Sequence, residues 1–378
     1  MYLPLLVSCL QNTDTSKVNQ LIEGIRNQFA PDKRVAIFEV QPTVQSGQLV
    51  LNGKTNLPEA HQSLIDSLSS LDIHFIDSLK ILPAEELGEK NWGLITLSVI
   101  PLRKTPNYSA EMVSQALLGT PVKVLDKKGG WYLIQTPDQY IGWTNSSNLT
   151  TVTAAELNHW RKSNRYVFIQ INGSAWSEPD DKSERVSDML LGNLFEVSGK
   201  NKNYLHIQFP DGRTAFVKAS DCLPFQEWAS IQPESQNIIG MAKLLLGYPY
   251  LWGGTSTKAV DCSGMVKTAY FSQGVILARD ASQQARYGEI LTISDSTKFQ
   301  PGDLLFFGKN KDRITHVGMY IGDNRYIHSS GRVKINSLDP QAKDYNLGRK
   351  KDLVSASRIL NSLNTKEIIP IKDHPWYN

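Results

Sequence analysis

The spacing of apolar positions changes several times along the 378-residue chain, and the changes mark out its parts. After Thr13, Asp14 and Thr15, the residues Val18, Leu21, Ile22 and Ile25 recur at helical spacing, which predicts a helix within 13–35. Residues 34–40 and 48–52 read as strands, the second ended by Asn52 and Gly53. A helix follows Pro58, with Leu64, Ile65, Leu68 and Leu71 on one face, and residues 73–79 read as a last strand. Together they predict a small α+β domain over 10–88 with no chemistry of its own.

The next stretch repeats itself. Glu111, Val113, Ser114, Leu117, Leu118, Gly119, Val124, Ile134, Gln135, Pro137 and Asp138 return as Glu184, Val186, Ser187, Leu190, Leu191, Gly192, Val197, Ile207, Gln208, Pro210 and Asp211, at one offset of 73 residues and without a gap. Each copy has short β-rich runs broken by Gly, Asp, Asn and Pro, as a small barrel requires. The Leu-Leu-Gly, the Gly-Trp-Tyr at 130–132 and the Tyr-Ile-Gly-Trp at 140–143 resemble bacterial SH3-like domains. The predicted units are 89–152 and 153–234.

From 235 to 378 the pattern is different. Residues 238–246 read as an amphipathic helix and residues 262–273 as a second one, stopped at Gly274. Residues 302–308, 316–321 and 325–329 read as strands. Helices followed by an antiparallel sheet predict an α+β domain, an order that resembles the papain-like cysteine peptidases. The expected chain is multidomain: a small α+β N-terminal domain, two SH3-like β-barrels and an α+β domain with this papain-like cysteine peptidase resemblance.

Composition narrows the function. Hydrophobic residues make up 40% of the chain, and no run of about 18 apolar residues offers a membrane-spanning segment. The net charge of +3 comes from scattered Lys and Arg, so no nucleic-acid partner is indicated. The three cysteines, Cys9, Cys222 and Cys262, are odd in number and form no C-x-x-C, so neither a disulfide framework nor a zinc site is expected. His61, His74, His159, His206 and His374 show no ligand spacing, and no metal or other cofactor is expected.

The chemistry gathers around Cys262. It follows the Gly253-Gly254 turn and stands where a helix begins, so the positive end of the macrodipole should lower its pKa and favour the thiolate. His316 and His328 lie on neighbouring predicted strands. A thiol and two imidazoles on separate elements suggest a nucleophile, its general base and a residue that orients the base. Strand parity tests this. A plain two-residue turn at Asp323 and Asn324 would put the two histidines on opposite faces. A three-residue or bulged turn would make them diagonal neighbours on one face, about 7–8 Å apart at Cα.

The segments Tyr250-x-Trp-Gly-Gly, Asp261-Cys-Ser-Gly, Arg279-Asp-Ala-Ser-Gln, Pro301-Gly-Asp-Leu, His316-Val-Gly-Met-Tyr-Ile-Gly and Ile327-His-Ser-Ser-Gly resemble the NlpC-type cell-wall cysteine peptidases. With two SH3-like units ahead of it, the whole resembles the γ-D-glutamyl-L-diamino-acid endopeptidases of the dipeptidyl-peptidase VI type. The resemblance implies cleavage of murein peptides with a free N-terminal L-Ala, releasing L-Ala-γ-D-Glu in cell-wall recycling. It implies Cys262 as nucleophile, His316 as base and His328 as orienting residue, with Tyr250 assisting the oxyanion. Trp252, Asp261, Ser263 and Ser282 would line substrate subsites, and Glu111 and Tyr140 of the first SH3-like unit would hold the free amine. Two other readings stay open: a less selective endopeptidase of intact wall, and a non-catalytic murein-binding protein. The three intact residues Cys262, His316 and His328 argue against the last. A monomer in the bacterial envelope or periplasm is expected, with a cytoplasmic recycling enzyme as the alternative. Residues 6–9, Leu-Val-Ser-Cys, resemble a lipobox that would anchor the chain through Cys9.

Overall fold

The computed structural model describes residues 15–294 and 296–378; the lipobox-like segment with Cys9 lies outside them. Residues 15–88 form one compact unit with Leu125–Lys127, and the described residues from Glu89 to Val124 and from Lys128 on form a second.

In the first unit the strands Phe38–Gln45 and Gln48–Thr55 form a hairpin, and Phe75–Ile81 pairs parallel to the second strand. The two-residue turn at Ser46 and Gly47 has positive φ at both positions, the hairpin-compatible twist. The helices Thr15–Phe29 and Pro58–Ser70 bury Val18, Ile22, Ile25, Leu64 and Leu68 against Val40, Leu49 and Leu51. The strand does not stop at Asn52 and Gly53 as expected. Gly53 sits inside it at φ 129°, where a Cβ would lie 1.9 Å from the Glu39 carbonyl oxygen, so it marks a close backbone approach and not an end.

The repeat becomes two seven-stranded sheets of one topology. The first runs Leu149–Val152, Trp92–Ile95, Pro121–Lys128, Trp131–Gln135, Ile141–Asn145, Val99–Arg103, Met112–Leu117. The second runs Cys222–Pro224, Arg165–Phe168, Leu194–Asn201, Tyr204–Gln208, Thr214–Lys218, Asn172–Trp176, Arg185–Leu190, strand for strand in the same order. The Leu-Leu-Gly of each copy turns at a glycine of positive φ, 72° at Gly119 and 88° at Gly192. Each turn docks on the module that follows it in sequence. A Cβ at Gly119 would come within 2.3 Å of the Leu194 carbonyl oxygen, and one at Gly192 within 2.6 Å of the Phe271 ring.

The remaining residues place the helices Ser235–Leu244 and Cys262–Phe271 on a six-stranded antiparallel sheet. Ile238, Met265, Val266 and Ala269 pack on Leu304, Phe306, Val317, Met319 and Ile327. Residues 371–378 then run back across all three modules. The Ile371 amide donates to the Gly274 carbonyl at 2.7 Å, and His374 donates through Nε2 to the Pro137 carbonyl at 3.0 Å. Arg161 and Arg165 donate to the carbonyls of Trp376 and Tyr377 at 3.1 and 3.0 Å. The Trp376 ring meets Trp92 edge-on, and the Tyr377 ring stacks on Phe225.

Candidate active site

The helix that begins at Cys262 is built around Asp261. Its Oδ1 accepts from the Gly264 amide at 2.7 Å, the N-cap interaction that satisfies an otherwise orphaned donor. Position 264 must be glycine, because a Cβ there would lie 1.9 Å from the Gly254 carbonyl oxygen. The Asp261 Oδ2 accepts from the Gly253 amide at 3.1 Å and from Arg279 Nη2 at 2.6 Å. Arg279, 1% exposed, also donates to Ser263 Oγ at 3.0 Å and to Ser114 Oγ of the first barrel at 3.1 Å. Such a buried ion pair holds only because each partner is saturated by further hydrogen bonds.

The thiol of Cys262 is buried, and hydrogen bonding from the backbone of Val317, the neighbour of His316, reaches it. Burial, followed by the charge of Asp261, pushes the thiol up to about 11. The direction is opposite to the one the helix start predicts, because desolvation disfavours the anion. The imidazoles shift in the complementary direction. Burial, then the charge of Arg349, pushes His316 down to about 2. Burial pushes His328 down to about 4, opposed in part by its hydrogen bond to Asn336. Burial thus favours the neutral form of the thiol and of both imidazoles.

The hairpin carrying the histidines turns at Asp323 and Asn324, both of positive φ, but an irregularity between Tyr320 and Gly322 shifts the register. Met319 pairs with Ile327 and Tyr320 with Tyr326, so His316 and His328 share a face. Their rings meet, His316 Nε2 to His328 Nδ1, at 2.8 Å. Asn336 on the next strand completes the chain. Its Nδ2 donates to the Asp344 carbonyl at 2.5 Å, which fixes Oδ1 towards His328 Nε2 at 2.8 Å. Nε2 of His328 therefore carries its proton, Nδ1 accepts from His316 Nε2, and Nδ1 of His316 is left as the free base. Sequence reasoning missed Asn336, an ordinary strand asparagine that no spacing singles out.

Other expected residues gather along the loop 249–254. The Tyr250 amide donates to the Gly331 carbonyl at 3.0 Å; burial, with the charges of Cys262 and Asp261, pushes its phenol upward. The exposed Trp252 donates through Nε1 to Glu111 Oε1 at 2.9 Å, bringing the first barrel onto this loop. Tyr140 is buried, and its hydroxyl donates to Asp280 Oδ2 at 3.3 Å. Ser282 stands half-buried on the short helix Ala281–Gln284.

The sequence matches the NlpC/P60 family over residues 247–350 and the bacterial dipeptidyl-peptidase Sh3 domain over residues 102–149. It is similar to the gamma-D-glutamyl-L-lysine dipeptidyl-peptidase of Bacillus cereus, 32% identical over 232 residues, which are 58% of this chain and 67% of that protein. The chain belongs to the NlpC/P60 family. This peptidase is also 29% identical to the dipeptidyl-peptidase 6 of Lysinibacillus sphaericus over 287 residues, 72% of this chain and 99% of the relative. Its fold is similar to the crystal structure of an NlpC/P60 family protein from Bacillus cereus, at a TM-score of 0.62 and 25% identity, over 71% of this chain and 99% of the other. It is thus a multidomain hydrolase with an SH3-like and an NlpC/P60 domain, of the class that acts on peptidoglycan peptides.

One substrate residue expected in this peptidase takes a different place. Asp261 cannot offer a free carboxylate, since helix cap, loop amide and Arg279 use both its oxygens. Asp280, present in the quoted motif but given no role, is the carboxylate that Tyr140 reaches.

Proposed function

We propose that this peptidase hydrolyses the bond between γ-D-Glu and the L-diamino acid of murein peptides that have a free N-terminal L-Ala, releasing L-Ala-γ-D-Glu in cell-wall recycling. Cys262 attacks the γ-carbonyl as its proton passes to Nδ1 of His316, the imidazolium protonates the leaving amine, and water, giving its proton to His316, then hydrolyses the thioester to free L-Ala-γ-D-Glu and return the thiol. His328, set by Asn336, keeps the tautomer. Tyr250 and the Cys262 amide stabilise the oxyanion. Asp261 positions the helix start, while Trp252, Ser263 and Ser282 line the substrate path. A neutral resting pair suits a step in which charge appears only as the transition state forms.

The observation that carries the reading is the Trp252–Glu111 contact. It brings a carboxylate from the first barrel, which Lys104 also approaches at 3.5 Å, to the loop of Tyr250, where a substrate ammonium gains a partner that a blocked N-terminus forgoes. The names of the relatives from Bacillus cereus and Lysinibacillus sphaericus agree with it. The test is mass spectrometry of products from L-Ala-γ-D-Glu-diamino-acid peptides, with free and with N-acetylated alanine. Free peptides should be cut at least tenfold faster, and Cys262→Ala, still folded by circular dichroism, should lose activity on both. Equal rates on the two peptides would replace recycling with the wall-hydrolase reading.

A further inference from the structure

The charges around the loop 249–254 are not evenly spread. Trp252 and Gly253 meet Glu111 and Met112 of the first barrel, whereas Pro249 and Tyr250 pair with Arg332 and Gly331 of the sheet. One end of the loop meets a carboxylate, with Lys104 beside it at 3.5 Å, and the other end lies near cations that pair with no acid among the described residues. At the basic end Lys334 is the cross-strand partner of His328 and shares its face. Arg349, half-buried, reaches over to Ser330 Oγ at 3.5 Å, two residues past His328. Among the described residues neither cation has a carboxylate partner. The carboxylate of Asp344, near Tyr326, goes instead to Arg325 at 3.3 Å. Both cations act on the histidines: the charges of Arg349 and Lys334 oppose protonation of His316 and of His328.

Two unpaired cations beside a general base are unfavourable for the step assigned to His316, because the imidazolium forms against them. They are favourable only when an anion lies between. The leaving half of the proposed substrate carries one. We infer that Arg349 and Lys334 form a carboxylate subsite for the leaving diamino acid. The inference rests on the function proposed above and names its specificity on the departing side. A bound carboxylate would screen the cations at the moment His316 takes the thiol proton, so it should raise kcat as well as lower KM. With the ammonium held near Glu111 and a carboxylate near Arg349, the polarity of the cleft matches the polarity of the peptide.

The carboxylate could be that of the side chain, as in diaminopimelate, or that of the main chain. Four tripeptides separate these sources: L-Ala-γ-D-Glu-meso-diaminopimelate, and the same peptide amidated at one carboxyl only, on the diaminopimelate side chain, on its main chain, or on D-Glu. Amidation of one diaminopimelate carboxyl should cut kcat/KM about tenfold, and the responsive position identifies the carboxylate. In Arg349→Gln and in Lys334→Gln that gap should close, with the intact peptide falling to the rate of the amidated one and with Arg349→Lys restoring part of it. If the wild-type protein releases L-Ala-γ-D-Glu equally fast from the intact peptide and both diaminopimelate amides, or slows only with the D-Glu amide, the subsite is refuted while the proposed function stands. Failure to cut any of the four would remove both.

Discussion

Glu111 and Glu184 stand at the same position one repeat apart, and their carbonyls do the same work, accepting from the Lys104 amide at 3.0 Å and the Ser177 amide at 2.8 Å. Their side chains diverge. Glu111 takes the indole N–H of Trp252, while the carboxylate of Glu184 is exposed and makes no hydrogen bond among the described residues. Tyr140 and Arg213 divide the same way: both carbonyls close the same loop, yet Tyr140 reaches Asp280 of the peptidase domain and Arg213 reaches the Thr96 carbonyl of the first barrel at 2.8 Å. Asp138 pairs with Lys267 on the cysteine helix at 2.8 Å, whereas Asp211, among the described residues, binds only Arg213 in its own loop. What the two barrels share is backbone; what differs is where the side chains go. These side chains of the first barrel reach the peptidase domain, and Arg213 of the second reaches the first.

The largest effect should come from the aspartates. Asp138→Asn breaks a buried pair and should cost about 3 kcal/mol, read from chemical denaturation, while Asp211→Asn should cost under about 0.5 kcal/mol. The acid limb sharpens the point. Burial acts to raise the Asp138 carboxyl, but Lys267 and the Thr136 hydroxyl outweigh it and the net direction is down. Its contribution is therefore complete above the unfolded value of about 3.9 and is lost as pH falls through the lower folded one. Asp138→Asn should flatten the loss of stability below about pH 4, and Asp211→Asn should leave it unchanged. Similar curves for the two variants would break the comparison.

Next come the docking turns. Gly119→Ala and Gly192→Ala each force a Cβ into positive φ against the next module, and each should lower stability by about 2 kcal/mol in thermal unfolding. Gly212→Ala, at φ 88° but with nothing within 4 Å, should cost less than either. The smallest effect separates the glutamates. Glu111→Gln should lower kcat/KM about tenfold on free-amine peptides and leave N-acetylated ones unchanged, while Glu184→Gln changes neither. An equal loss on both substrates would make Glu111 a structural residue of the barrel.

Much of this was legible in the chain because it rests on periodicity. The offset of 73 predicts two sheets of one topology, since equal residues at equal spacing build equal strands. The triad reading required a three-residue or bulged turn to put His316 and His328 on one face, and the irregularity after Tyr320 supplies it. What escaped has no periodic signature. Asn336 meets His328 and Arg349 meets Ser330 only through tertiary folding, at positions of ordinary sequence. Gly53 looks like a strand end because local propensity cannot register a neighbouring backbone. The thiolate expected from the helix start failed because burial of Cys262 is a property of the whole fold.

Residues 371–378 give the three modules a shared thermodynamics. Strings of small repeats commonly melt piecewise, each unit held by its own core and one neighbour. Here one short segment donates and accepts across the first barrel, the second barrel and the peptidase domain at once. Loosening any of them loosens the contacts of the other two, so the Glu111–Trp252 contact between the first barrel and the peptidase domain is held by the same segment.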